Sequence, residues 1–84
     1  MSIILQENKK HTPFPTLGDC LRHYRQKANL SQLQLAKSMG CCQATIAHYE
    51  SGRVAPPLRV LQKIAIELNI SLNVLVAHKL KLTD

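Results

Sequence analysis

Between residues 31 and 52 the chain reads SQLQLAKSMGCCQATIAHYESG, two short helical patterns hinged at a Met-Gly-Cys-Cys corner. Ser31 followed three residues later by Gln34 is a capping box, in which each side chain satisfies the other residue's backbone N–H at a helix start. The helix it opens runs over about residues 32 to 39, with Leu35, Ala36 and Met39 as its buried stripe. Gly40 stands where the chain must turn sharply, because only glycine takes a positive φ without steric cost. A second short helix follows over about residues 43 to 51. Ala36 is small enough for the two helices to approach closely, while Ile46 and Tyr49, three apart, point back into a core and set this helix against the first and fourth. Gln43, Ala44, Ala47 and His48 then share the opposite face, an uncharged face on a strongly basic chain.

Outward from this corner the punctuation stays helical. Upstream, Thr16 is an N-cap, Asp19 falls in the first turn, and Leu17, Leu21, Tyr24 and Ala28 recur at helical spacing up to Asn29, which tolerates the left-handed conformation. Downstream, Pro56 and Pro57 open a fourth helix, where a missing N–H costs nothing. Leu58, Leu61, Ile64, Ala65 and Leu68 give its stripe and Asn69 its close. Ser71 caps a fifth helix carrying Leu72, Leu75 and Val76, with Ile70 stapled onto Leu75. The expected fold is therefore all-α: a compact five-helix bundle over residues 16–77 and a short tail over 78–84. Residues 1–15, polar and broken by Pro13 and Pro15, read as a flexible N-terminal arm, with a short edge strand over 2–6 as the other reading.

Composition agrees. With 84 residues, 4% aromatics and no Trp, one small core must be built from aliphatic side chains, which favours helix-on-helix packing. Eleven Lys and Arg against five Asp and Glu give a formal charge of +6, which suits a polyanionic partner, nucleic acid or an anionic membrane surface. No apolar run approaches the roughly 20 residues of a membrane span. The charges of MSIILQENKK follow its apolar run, the reverse of a secretory signal, and the three cysteines are odd in number with two adjacent. Reduced thiols in a cytoplasm are expected.

An uncharged face of short, hydrogen-bonding side chains is what a helix needs to read base edges in a major groove. Glutamine pairs with adenine and alanine touches a thymine methyl, while long cations serve the phosphates around the rim. Leu30, Ser31, Gln32, Leu35, Ala36, Gly40, Cys41, Ile46, Tyr49, Glu50 and Gly52, continued by Pro57, Leu61, Ala65 and LNIS at 68–71, fit one spacing. That spacing closely resembles the helix-turn-helix of phage repressors, Cro proteins and the wider XRE-type regulators, over about residues 17–76.

The resemblance implies a dimeric, sequence-specific regulator of double-stranded DNA, a repressor on a palindromic operator. Gln43, Ala44, Thr45, Ala47 and His48 match its base-contacting positions. Gln32, Arg25, Ser51, Arg53 and Arg59 match phosphate-contacting ones, and Arg25 with Glu50 matches a salt bridge tying the first helix to the recognition helix. Two departures stand out. Cys42 replaces the usual Ser or Thr at the third N-cap, and neither position 43 nor 44 carries a cation for guanine, which predicts A/T-rich half-site centres.

Several residues carry a second reading. His48 is a pH-sensing side chain or a plain hydrogen-bonding one, and Arg25 with Glu50 is a structural pair or a loose surface one. Cys41 and Cys42 are packing residues or oxidant-sensing thiols, and Lys9 and Lys10 are solvated or reach along a groove. Leu72, Leu75, Val76 and Leu80 are the candidate dimer interface, although the N-terminal SIIL competes for the same surface. No cysteine spacing fits a zinc site, no cofactor motif is present, and acids and histidines are too dispersed for an enzyme. The competing function is an antitoxin or adaptor of the same fold that binds a protein partner.

Overall fold

Several helix boundaries fall at residues whose backbone or side chain suits them. In a computed structural model describing residues 14–80 (side chains of 79 and 80 excepted), the chain forms α1 (Leu17–Lys27), α2 (Gln32–Met39), α3 (Gln43–Ser51), α4 (Leu58–Leu68) and α5 (Leu72–Leu80). No strand occurs among the described residues. Thr16 Oγ1 accepts from the Asp19 N–H at 3.1 Å, and the Ser31–Gln34 capping box closes with bonds of 3.0 and 2.8 Å. Asn29, Gly40, Gly52 and Asn69 all take positive φ, at 60°, 73°, 84° and 56°, and turn the chain after α1, α2, α3 and α4. Cys42 caps α3 with no side-chain hydrogen bond to the backbone.

The amphipathic stripes meet in one aliphatic core: Cys20 and Leu21 from α1, Leu35 and Ala36 from α2, Ile46 from α3, Leu61, Ile64, Ala65 and Leu68 from α4, and Leu75 from α5. α3 packs chiefly on α1 and α2; α4, which the sequence set behind α3, packs instead on α2 and α5. On the outward side of α3, Gln43 and Ala44 stay exposed.

Leu75 is a correction. Expected at a dimer interface, it is 0% exposed, because Leu75 and His78 one turn later face the interior and leave Leu72, Val74 and Val76 half-buried. α5 also runs on to Leu80, so residues 78–80, expected in a tail, are helical. His78 is buried, its Nδ1 2.8 Å from the Val74 carbonyl oxygen. Phe14, expected in the arm, packs its ring against His23, Tyr24 and His78. The rest of the arm, with the alternative strand over 2–6, Lys9 and Lys10, and the end of the tail lie outside the described residues.

Gly18 sets the distance between α1 and α3. A Cβ built there would overlap the Glu50 carbonyl oxygen, so the two backbones touch where a side chain would separate them. Gly18→Ala is expected to cost about 1–3 kcal/mol in urea unfolding, the range for overpacking a close contact. Cys42→Ser supplies the absent cap acceptor and is expected to stabilise by about 0.5–1 kcal/mol in the same assay.

Candidate nucleic-acid interface

The turn between α2 and α3 is closed by two backbone bonds, Gly40 N–H to the Lys37 carbonyl at 3.2 Å and Cys41 N–H to the Ala36 carbonyl at 2.9 Å. With Ala36 fully buried beneath it, the corner is tight enough to hold α3 as a rigid extension of α2. Ile46 and Glu50, four residues apart, form its inward side, and both are buried. Gln43 and Ala44 are exposed, whereas Thr45, Ala47 and His48 are half-buried and keep part of their surface open.

A buried carboxylate organises this side of the molecule. Glu50, 4% exposed, accepts from Arg25 Nε at 2.6 Å on Oε2 and from Arg25 Nη2 at 3.1 Å on Oε1, the two-pronged geometry of a strong guanidinium–carboxylate pair. The remaining prong of Arg25, Nη1, donates to the Leu30 carbonyl at 2.7 Å and so also fixes the α1–α2 loop. Arg25, 8% exposed, is thus engaged inside the fold on all three nitrogens. Its phosphate-contacting reading from the sequence yields to the structural pair, because the guanidinium points inward.

The same carboxylate reaches the surface through two glutamines. Gln32 Nε2 donates to Glu50 Oε1 at 3.1 Å, and Gln32 Oε1 accepts from Gln43 Nε2 at 3.4 Å. A chain of hydrogen bonds therefore runs from a buried ion pair to the first side chain of α3. It sets the amide of Gln32, whose carboxylate partner demands the N–H, and leaves the oxygen for Gln43.

Around this centre lie the cations. Arg53 is exposed just past α3, and its backbone N–H bonds the His48 carbonyl at 3.0 Å, which fixes the loop that carries it. Arg59 is exposed in the first turn of α4. Ser51 Oγ donates to the same His48 carbonyl at 3.2 Å, so its hydroxyl is oriented within the helix end. Arg22 was missed in the sequence. One turn before Arg25 and 46% exposed at its side chain, it lies 3.5 Å from Glu50 and 3.7 Å from Asp19. The R-x-x-R spacing on α1 puts the two arginines on one face, where both reach Glu50.

Among the described residues no group of three or more His, Cys, Asp or Glu is placed to hold a metal ion, and no helix is long and apolar enough to cross a membrane.

Residues 21–75, the span from mid-α1 to mid-α5, match the helix-turn-helix family. The chain belongs to that family. This helix-turn-helix protein is a DNA-binding transcriptional regulator of the XRE type. It is similar to the ImmF control region 10 kDa protein of Bacillus phage phi105, 31% identical over 68 residues that cover 81% of this chain and 76% of that protein. An uncharacterized HTH-type transcriptional regulator of Archaeoglobus fulgidus is 36% identical over 66 residues, 79% of this chain, which spans 25% of that longer protein.

The ion pair generates a prediction. Glu50→Ala leaves Arg25 buried and uncompensated and is expected to lower stability by about 3–5 kcal/mol in urea unfolding. The double change Arg25→Met with Glu50→Leu is expected to recover most of that loss while still disordering Gln32 and Gln43, seen as sharpened amide exchange or lost side-chain NMR dispersion at those two residues.

Proposed function

We propose that the protein is a repressor that binds a palindromic operator as a dimer, with α3 in the major groove. The observation that carries this reading is the state of Gln43. It is exposed at the start of α3, and one N–H is held by Gln32, which leaves its second N–H and its carbonyl oxygen free. Those two groups match the N7 acceptor and N6 donor of adenine. Ala44 beside it suits a thymine methyl, with Thr45, Ala47 and His48 at the neighbouring base edges.

Arg53, Arg59, Ser51 and Gln32 are proposed at phosphates, with Arg22 added and Arg25 left to the internal pair. Phosphate contacts position the helix and base contacts specify the site. A single domain of this size gives weak discrimination, and two copies on half-sites about 34 Å apart multiply it. The proposed interface uses Leu72, Val76 and Leu80 of α5, with Ile66 of α4. Ile66 supports the choice: it is 77% exposed and lines a groove with Ala65, Ile70 and Leu72, edged by Gln62 and Asn69. The phage relative, of similar length and named for a control region, fits the repressor reading.

Selection from a random duplex library at roughly physiological salt, where nonspecific cation binding is suppressed, tests it. A two-fold symmetric motif with A/T-rich half-site centres is expected; a folded protein that enriches no motif points to the protein-partner function instead. On the selected duplex, Gln43→Ala is expected to relax the base preference at one position by about 1–3 kcal/mol, whereas Arg53→Ala weakens all duplexes alike and lowers the salt slope by about one. Equal effects of the two substitutions on every sequence would sink the assignment of Gln43.

A further inference from the structure

Three cysteines occupy three different environments. Cys20 is completely buried between the helices, and burial pushes its thiol up to about 11. Cys41 is half-buried against the core, and Cys42, the next residue, is exposed at the N-cap of α3. All three are free thiols. The corner of the helix-turn-helix thus presents two sulfurs on consecutive residues, one open to solvent and one behind it, immediately before Gln43.

The two differ in chemistry as well as in access. Cys42 Sγ lies 3.4 Å from Thr45 Oγ1. The Thr45 hydroxyl, bonded to the sulfur, and then the nearby Thr45 backbone N–H dipole lower its pKa, so it is the thiolate former of the pair. Cys41 is held up by burial and by the neighbouring Cys42 charge, partly offset by Lys63. An accessible thiolate beside a less acidic thiol is an attacking sulfur with a resolving partner.

We propose that Cys41 and Cys42 form a dithiol switch, oxidised by hydroperoxides to a Cys41–Cys42 disulfide that turns off the DNA-facing helix. This rests on the reading of α3 as that helix. In the first step the Cys42 thiolate attacks the terminal oxygen of the hydroperoxide. An S–O bond forms, the O–O bond breaks, sulfur is oxidised to the sulfenic acid, and the alkoxide leaves and takes up a proton as the alcohol. In the second step the Cys41 sulfur attacks Cys42 Sγ. The S–S bond forms, the S–O bond breaks, and the thiol proton departs with the hydroxyl as water.

Closure cannot leave the corner as it is. Consecutive Cα atoms are about 3.8 Å apart across a trans peptide, whereas an unstrained disulfide requires at least roughly 4.4 Å. The strain falls on the peptide joining the two residues, which is the N-cap of α3, now extended at φ −94° and ψ 159°. Sγ of Cys42 is drawn off Thr45, and Gln43, one residue on, loses the position in which Gln32 holds it. Strain also makes the bond easy to reduce, so the device is reversible.

The full chain, fully reduced, is treated with cumene hydroperoxide, then analysed by intact mass and peptide mapping and titrated against a random-sequence duplex at low salt. The expected product is lighter by two hydrogens, with a Cys41–Cys42 bridge and an unmodified Cys20. Its affinity falls at least about tenfold, equivalent to 1.4 kcal/mol, and dithiothreitol restores it. Cys42→Ser and Cys41→Ser are each expected to bind duplex normally when reduced and to show neither the bridge nor a reversible loss; Cys41→Ala serves if the serine there unfolds the chain. Absence of the bridge, or a bridge with unchanged affinity, overturns the switch while leaving the interface intact. A reduced, folded chain that binds no duplex overturns the interface reading itself, whatever the mass shows.

Discussion

The carboxylate of Glu50 is the point on which the rest of the arrangement depends. A buried charge is tolerated only when its hydrogen-bonding capacity is filled, and here two prongs of Arg25 and the amide of Gln32 fill it. Those three donors come from α1 and α2, while the acceptor comes from α3. Satisfying one carboxylate therefore fixes the placement of three helices at once, and the third prong of Arg25 adds the loop between the first two. Apolar packing alone, through Ile46 and Ala36, brings α3 to the core but does not specify its rotation about its own axis. Unlike apolar contact, a hydrogen-bonded pair is directional, and the rotation of α3 decides which side chains face outward.

The backbone contact at Gly18 works with this pair. Because α1 meets the carbonyl of Glu50 with no side chain between them, the Arg25 guanidinium two turns further along α1 arrives within bonding distance of the carboxylate. An aliphatic residue at position 18 would separate the two helices and lengthen the ion pair. Close approach and charge pairing are thus two parts of one constraint on the α1–α3 contact.

Much of this was readable in the sequence because it is written locally. The capping box at Ser31 and Gln34, the helix-ending residues Asn29, Gly40 and Asn69, and the helical stripes each depend on a few neighbouring residues, and five helices follow from them. What escaped depends on distant ones. Gly18 in the first turn of α1 has no local signature of its role, and only the nearness of α3 explains it. Which of Arg22 and Arg25 turns inward is decided by a carboxylate about 25 residues away, not by their own spacing. Leu75 was placed at an interface because a short helix with many apolar residues shows no clear stripe; the packing of α1 and α4 against α5 chooses the buried side. At the outward face of α3, sequence pattern identified the exposed Gln43 and Ala44, but the hydrogen bond that steadies Gln43 joins residues eleven apart and had no local signature.

The hydrogen-bond chain from Arg25 to Gln43 divides the outward face into two kinds of position. Ala44 is exposed and bears no bond to the framework, so its side chain is free to be exchanged without disturbing the fold. Gln43 is tied through Gln32 to the buried carboxylate, and a replacement there strands the oxygen of Gln32. On the proposed reading of α3, divergence of target preference from this scaffold has an easy direction and a coupled one: position 44 drifts alone, while positions 43 and 32 change together.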